Sequence, residues 1–348
     1  MLDLMWQHIW LNLLELRDAT YPMFRHVRRR LTFLYFCVAL SATTLTNVPA
    51  VAETEASKIC EQNGETTRVR LGVRKDAPPF SYEVVNRKTD QGSDPYAGYS
   101  VELCTEFVGS THNKTGLNDY CFVEVDPSNR LLKLDSGEID LLCGATTASI
   151  DVRAENRTSL TTYLSVSGLS YMRKGLFSKN PLGNQDEVRV GVRTGTTSEE
   201  DLKKEKLPGA FVTFLDSNGL TDYDKLKLIE LDDHNEAPVR LRDGSIHIYF
   251  ADRPIMEAIL ADSDGNGDIA VYNLPITLQP YSIIVADRPF GRNDDAGIEL
   301  QRNFDRYLSN EKFAPSKVDA FIDSLYVLMR GNVEPFFLDI ARIQGVFP

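Results

Sequence analysis

The sequence predicts an α/β chain built as two similar lobes, each a mostly parallel sheet flanked by helices, with a cleft between them. Two observations predict it. Short apolar strand runs alternate with helix-period segments, the pattern of β-α-β units. That pattern restarts after Tyr171-Met172-Arg173-Lys174-Gly175. The run Leu134-Asp135-Ser136-Gly137-Glu138-Ile139-Asp140 then has its counterpart in Leu241-Arg242-Asp243-Gly244-Ser245-Ile246-His247.

In the first half, residues 68–74 read as a strand, followed by the loop Pro78-Pro79-Phe80-Ser81-Tyr82 and a helix from Tyr99 to Val108. A strand at 121–125, a short helix at 130–134, a Ser136-Gly137 turn and a buried strand at 139–143 complete the unit, with right-handed crossovers. The last strand ends in Gly144-Ala145-Thr146-Thr147, which leaves backbone N–H and hydroxyl groups at its carboxyl end. Open α/β sheets bind ligands at that end.

The second half is predicted to repeat the order. A strand at 188–193 leads into Gly195-Thr196-Thr197-Ser198, a turn and N-cap, and a helix at 199–206. A strand at 227–231, a helix at 236–241, a strand at 246–251 and a helix at 254–260 follow. Chain crossings are placed near 169–177 and 274–285, and helices near 294–310 and 317–328 return to the first lobe. The expected organisation is a leader over 1–52, lobe 1 over 53–172 and 276–328, lobe 2 over 173–275, and a tail over 329–348.

The 52-residue leader has a basic cluster (Arg25, Arg28, Arg29, Arg30), an apolar stretch from Leu31 to Leu40 and a small-x-small site at Ala50-Val51-Ala52. Glu53 is then the expected mature start, and Met23 the expected start of translation. Without the leader, 33 basic and 47 acidic side chains remain, a net charge of −14. Such acidity argues against nucleic acid and anionic membrane as partners. Cys60, Cys104, Cys121 and Cys143 form an even set in an exported chain, which predicts two disulfides. Cys60 and Cys121 sit at the bottom of the first sheet, while Cys104 and Cys143 sit at its top. That placement favours pairing 60 with 121 and 104 with 143.

Pro79-Phe80-Ser81-Tyr82, Gly98-Tyr99-Ser100-Val101-Glu102-Leu103, Ser136-Gly137-Glu138-Ile139-Asp140, Gly144-Ala145-Thr146-Thr147 and Gly195-Thr196-Thr197-Ser198 together resemble the polar-amino-acid branch of periplasmic solute-binding proteins. The resemblance covers about residues 68–325 and is strongest to glutamate/aspartate-binding proteins. That closer similarity rests on Arg74 before Phe80, on Ser128-Asn129-Arg130 and on Asp233-His234. It implies a two-lobed periplasmic-binding-protein fold and a monomer that delivers an amino acid to the membrane permease of an ABC importer. It implies no cofactor and no catalysis.

Arg74, Arg130 and His234 all lie at the carboxyl edges of the predicted sheets, where guanidinium groups can grip a carboxylate. They are expected to select an acidic side chain. The resemblance assigns the ligand's α-carboxylate to Gly144, Ala145 and Thr147 with an Arg about eight residues after the glycine. That place falls on Val152, so Arg153 is taken as the clamp, with Arg157 as an alternative. Thr196 would add a donor from lobe 2, Asp252 would take the α-ammonium, and Phe80 would wall the site. Asp262-Ser263-Asp264-Gly265-Asn266-Gly267-Asp268 resembles a calcium loop, but Asn273 stands where a bidentate Glu is needed, and no metal is expected. Two other functions compete. A periplasmic enzyme on this fold, of the cyclohexadienyl-dehydratase kind, would use Glu102 or His234 as acid or base. A sensor module would be expected to carry a C-terminal membrane span or signalling domain.

Overall fold

The computed structural model describes residues 59–60, 68–84, 94–110, 112–113, 116–148, 164–173, 182–204, 206–262, 268–271, 276–286 and 296–308. The chain divides into two compact units, Met1–Thr54 and Glu55–Pro348, and every described residue belongs to the second. The expected leader, the helix expected at 317–328, the expected tail and the centre of the calcium-like loop lie outside the described residues.

The first half runs β1 (Val69–Val73), β2 (Asp76–Ala77), β3 (Ser81–Glu83), β4 (Tyr96–Ala97), α1 (Tyr99–Gly109), β5 (Tyr120–Glu124), α2 (Arg130–Asp135) and β6 (Leu141–Leu142). Strands β1, β5 and β6 are parallel, and β2–β4 form a small antiparallel sheet of their own. That small sheet was not predicted, because its strands are two or three residues long and carry no periodic signal. Gly98 joins it to α1 at φ 120°, and a Cβ there would lie 2.5 Å from the Phe80 carbonyl oxygen. The bare backbone lets Tyr99 and Ser100 donate to the carbonyls of Pro79 and Phe80, both at 2.9 Å.

The second half runs β7 (Leu164–Arg173), β8 (Val188–Arg193), α3 (Thr197–Lys203), α4 (Gly209–Ser217), β9 (Leu226–Leu231), α5 (Ala237–Asp243), β10 (Ile248–Asp252), α6 (Arg253–Asp262), β11 (Ile269–Val271) and β12 (Thr277–Tyr281). Helix α4 was not among the predicted elements, although Phe211, Phe214 and Leu215 on it are fully buried. Strand β13 (Ile284–Val285) and helix α7 (Ala296–Tyr307) follow.

The first sheet has the order β13-β6-β1-β5, and the second has β11-β7-β10-β8-β9 with β12 also on β7. Strand β7 pairs with β10, β11 and β12 from Leu164 onward, and β13 is the element that rejoins the first sheet. The boundary expected at 172/173 thus falls at the end of a second-sheet strand, and the one at 275/276 falls before another. The chain passes between sheets before β7 and again between Tyr281 and Ile284.

One apolar cluster is continuous from the first lobe (Leu71, Phe107, Phe304) to the second (Leu241, Tyr249, Met256). Separate clusters cover the other face of each sheet, Val125-Leu134-Ile139-Leu142-Ile284 in one and Val190-Phe211-Phe214-Phe250 in the other. Both disulfides form as expected, Cys60–Cys121 and Cys104–Cys143. The first ties the entry segment to β5 and the second ties α1 to the end of β6. Each bridge of this loop length contributes about 2–4 kcal/mol, largely by restricting the unfolded chain.

Candidate functional site

The carboxyl ends of the two parallel strand sets face each other. From the first lobe come Arg74 after β1, Asp126 after β5, Arg130 at the start of α2 and Gly144–Thr147 after β6. From the second come Arg193 at the end of β8, His234 after β9 and Asp252 at the end of β10. Two kinds of polar group meet there.

The first kind is fully partnered. Asp76, 2% exposed, receives Arg74 Nε and Nη2 on Oδ1 at 2.9 and 2.7 Å. Its Oδ2 receives Arg193 Nε from the other lobe at 2.7 Å, and the His234 backbone N–H reaches the same oxygen at 3.5 Å. Arg193 Nη2 continues to Asp126 at 3.0 Å. Burial alone would raise the Asp76 pKa, but Arg74, His234 and Arg193 outweigh it and hold the carboxyl well below the usual range. The lobes also touch at Gly195, φ 75°, where a Cβ would lie 2.5 Å from the Ser128 nitrogen. Thr147 Oγ1 and Thr197 Oγ1 meet across the cleft at 3.3 Å.

The second kind is buried and lacks a partner among the described residues. Arg130 donates through Nη1 to the carbonyls of Pro127 and Gly195, but its Nε has no acceptor. Burial, and secondarily the charge of Arg74, push its pKa down to about 10, so it stays cationic at neutral pH. His234 places Nδ1 2.7 Å from the Tyr249 hydroxyl and leaves Nε2 unpartnered. Burial, with help from Arg74 and Arg193, pushes its pKa down to about 3, so the ring is neutral. Asp252 accepts a hydrogen bond from the Tyr281 hydroxyl on Oδ2, while Oδ1 is sealed from solvent without a partner. Burial raises its pKa to about 6. Thr146 Oγ1 and Ser282 Oγ are also buried and unpartnered, on segments joined by the Ser282 N–H to the Thr146 carbonyl at 3.0 Å.

The expected site residues therefore fare differently. Arg74, Arg130, Gly144, Ala145, Thr147, His234 and Asp252 come together at the cleft. Arg74 is already engaged by Asp76, and Gly144 lies under its aliphatic stem, where a Cβ would sit 3.3 Å from Arg74 Cγ. Thr196 is an N-cap: its hydroxyl donates to the Arg193 carbonyl at 2.6 Å and accepts from the Glu199 N–H at 3.4 Å. The threonine that faces lobe 1 is Thr197. Phe80 is fully buried, edge-on to Tyr281 at 5.0 Å, and belongs to the core. Arg153 and Arg157 lie outside the described residues. Glu102 is exposed on α1. Asp76, Thr146, Arg193, Thr197, Tyr249, Tyr281 and Ser282 were missed. Asp76 carried a usable signal, a carboxylate two residues after a strand-end arginine; so did Arg193, which ends its own predicted strand, and Thr146, which lies in the polar loop after the strand at 139–143. Among the described residues no group of three or more His, Cys, Asp or Glu could hold a metal ion.

No family model matches the chain, and no curated protein matches it. Solved structures do. An amino acid ABC transporter substrate-binding protein from Streptococcus pneumoniae bound to L-arginine aligns over 76% of this chain and 96% of its own, at 16% identity and TM-score 0.53. The solute receptor for L-cysteine of Neisseria gonorrhoeae aligns over 78% and 96%, at 21% identity and TM-score 0.53. An ancestral arginine-binding protein bound to glutamine aligns over 76% and 99%, at 19% identity and TM-score 0.52. The fold is that of the two-lobed periplasmic binding proteins. These neighbours are amino-acid-binding examples of it.

Proposed function

We propose that the chain captures an L-amino acid with an acidic side chain, glutamate or aspartate, between its lobes and presents it to the permease of an ABC importer. The observation that supports this most is the set of buried polar atoms without partners at the cleft. Each such atom costs about 1–3 kcal/mol if left unsatisfied, so a set of them marks a place built for something else. They comprise one carboxylate oxygen on Asp252, a guanidinium N–H on Arg130, an imidazole nitrogen on His234 and two hydroxyls. An ammonium group on Asp252 and carboxylates on the donors would satisfy them together.

The placement of charge supports the acidic ligand. Asp76 and Asp126 neutralise Arg74 and Arg193. That leaves Arg130 as a buried cation without a carboxylate partner among the described residues and Asp252 with one open oxygen. An ammonium on Asp252 and a side-chain carboxylate on Arg130 match the two, whereas a cationic side chain would face Arg130. In this reading Arg130 and His234 take the side-chain carboxylate, and the Gly144–Thr147 segment with Arg153 takes the α-carboxylate. The leader directs export with cleavage after Ala52, consistent with two disulfides of a kind that persists in oxidising compartments. The lobes close around ligand as a shift of population toward the closed state. The dehydratase reading has less support, because Glu102 is exposed and His234, held neutral to about pH 3, is a poor proton acceptor.

Calorimetry of the purified exported chain with glutamate, aspartate, glutamine and arginine tests the proposal. Glutamate or aspartate is expected to bind at least tenfold tighter than glutamine, and arginine not to compete. Arginine binding as tightly as glutamate would defeat the acidic assignment, and no binding by any amino acid would defeat the capture function.

A further inference from the structure

We propose that Tyr249 is a positioning residue whose hydroxyl donates to His234 Nδ1, fixing the neutral ring as its Nε2–H tautomer and making His234 a hydrogen-bond donor into the cleft. The assignment follows from counting donors and acceptors at a buried pair. Tyr249 is fully buried, and its hydroxyl lies 2.7 Å from His234 Nδ1. If Tyr249 donates, its own hydrogen and the Nδ1 lone pair are both satisfied, and Nε2–H alone waits for an acceptor. If Nδ1–H donates instead, the Tyr249 hydrogen and the Nε2 lone pair are both stranded in the interior. One orphan costs less than two. Burial also raises the Tyr249 pKa well above its usual value, which keeps the phenol protonated and able to donate.

The chain makes room for this arrangement. Tyr249 lies on β10 opposite Gly191 of β8, where a Cβ would sit 3.1 Å from the Tyr249 ring carbon Cδ2 and 2.7 Å from Ile246 Cδ1. The two rings meet edge to face, with centroids 6.1 Å apart. The consequence for specificity rests on the proposed capture of an acidic amino acid. An N–H at that place donates only to an oxygen or other lone pair of the ligand side chain. It opposes a guanidinium or ammonium there, and it does so at any pH where the ring is neutral.

Nitrogen-15 NMR of the histidine rings tests this directly. The chain has five histidines, and the His234 signals are those lost in His234→Gln. Wild-type protein is expected to show a protonated Nε2 and a bare Nδ1, with and without glutamate. Tyr249→Phe should show both tautomers and bind glutamate about tenfold more weakly, from the loss of one fixed charge-assisted bond. In a His234→Gln background the same change should alter affinity little. A protonated Nδ1 in wild-type protein, or an unchanged tautomer in Tyr249→Phe, overturns the proposal. The wild-type spectrum decides the tautomer even if Tyr249→Phe fails to fold. A protonated Nε2 in a protein that binds no amino acid would leave the tautomer standing and defeat the capture function instead.

Discussion

Two sides of one cleft use the same residue types to opposite ends. On one side, Arg74, Asp76, Arg193 and Asp126 form a chain of ion pairs in which each guanidinium has a carboxylate. On the other, among the described residues, Arg130 has backbone carbonyls but no carboxylate acceptor, and Asp252 has one oxygen with no donor. The difference separates a contact that joins the lobes from the place proposed to hold a charged ligand. An arginine's position at a strand end therefore does not assign its role; its nearest carboxylate does.

The largest effect should come from breaking the satisfied side. Asp76→Ala leaves Arg74 buried without a counter-charge and Arg193 with only the half-exposed Asp126, and a loss of stability of about 3–5 kcal/mol is expected. Asp126→Ala, at a half-exposed carboxylate, should lose under about 1 kcal/mol. Denaturant unfolding of both variants measures the contrast, and equal losses would erase it. The Asp76 pKa is depressed in the folded chain, so its contribution is complete above about pH 4, the unfolded value, and is lost as pH falls toward the folded value.

On the orphan side the expected effect is on binding and its selectivity. Arg130→Ala should weaken glutamate by about 30-fold or more, equivalent to roughly 2 kcal/mol, because the ligand's side-chain carboxylate would be buried without its partner. Glutamine should lose much less. Titration calorimetry with both ligands is the check, and parallel losses would move Arg130 from side-chain selection to general binding. Arg74→Lys is expected to disturb stability more than selectivity, the reverse of Arg130, because its partner is Asp76.

The alternation of strands and helices, the restart after Gly175 and both disulfides were legible, because each leaves a mark within a short window of sequence. The β-α-β order determines which loops lie at the carboxyl edges, and so Arg130, His234 and Asp252 could be placed there. What was not legible depends on contacts between distant segments. Arg193 reaches Asp76 across 117 residues, and nothing at either position announces the other. Thr196 and Thr197 are adjacent and chemically alike, and only the helix geometry gives one the cap and the other the cleft. Phe80 was read as a wall of the site because its motif lies at the cleft, yet its ring packs against Tyr281 in the core.

Acid titration should separate the two sides by sign. Asp252 has its pKa raised to about 6 by burial, opposite to Asp76. In the unliganded chain the folded state then holds a proton that the unfolded state has released, so stability falls as pH rises from about 4 through about 6. Binding is expected to follow the opposite course, since in the proposed site an ammonium group is held by the ionised carboxylate. Affinity for glutamate is expected to rise with pH through about 6 and level off above it, with about a tenfold loss per pH unit on the acid side. Asp252→Asn should weaken every α-amino acid and flatten this dependence. The smaller Thr147→Val change removes one hydroxyl contact of the lobe–lobe seam, and should cost about 0.5–1.5 kcal/mol without altering the pH profile. Calorimetry at pH 5, 6 and 7 on the three proteins distinguishes them. A pH-independent affinity in the wild-type chain would remove Asp252 from the ammonium site, whereas a flattened profile in Thr147→Val would place the titrating group at the seam instead.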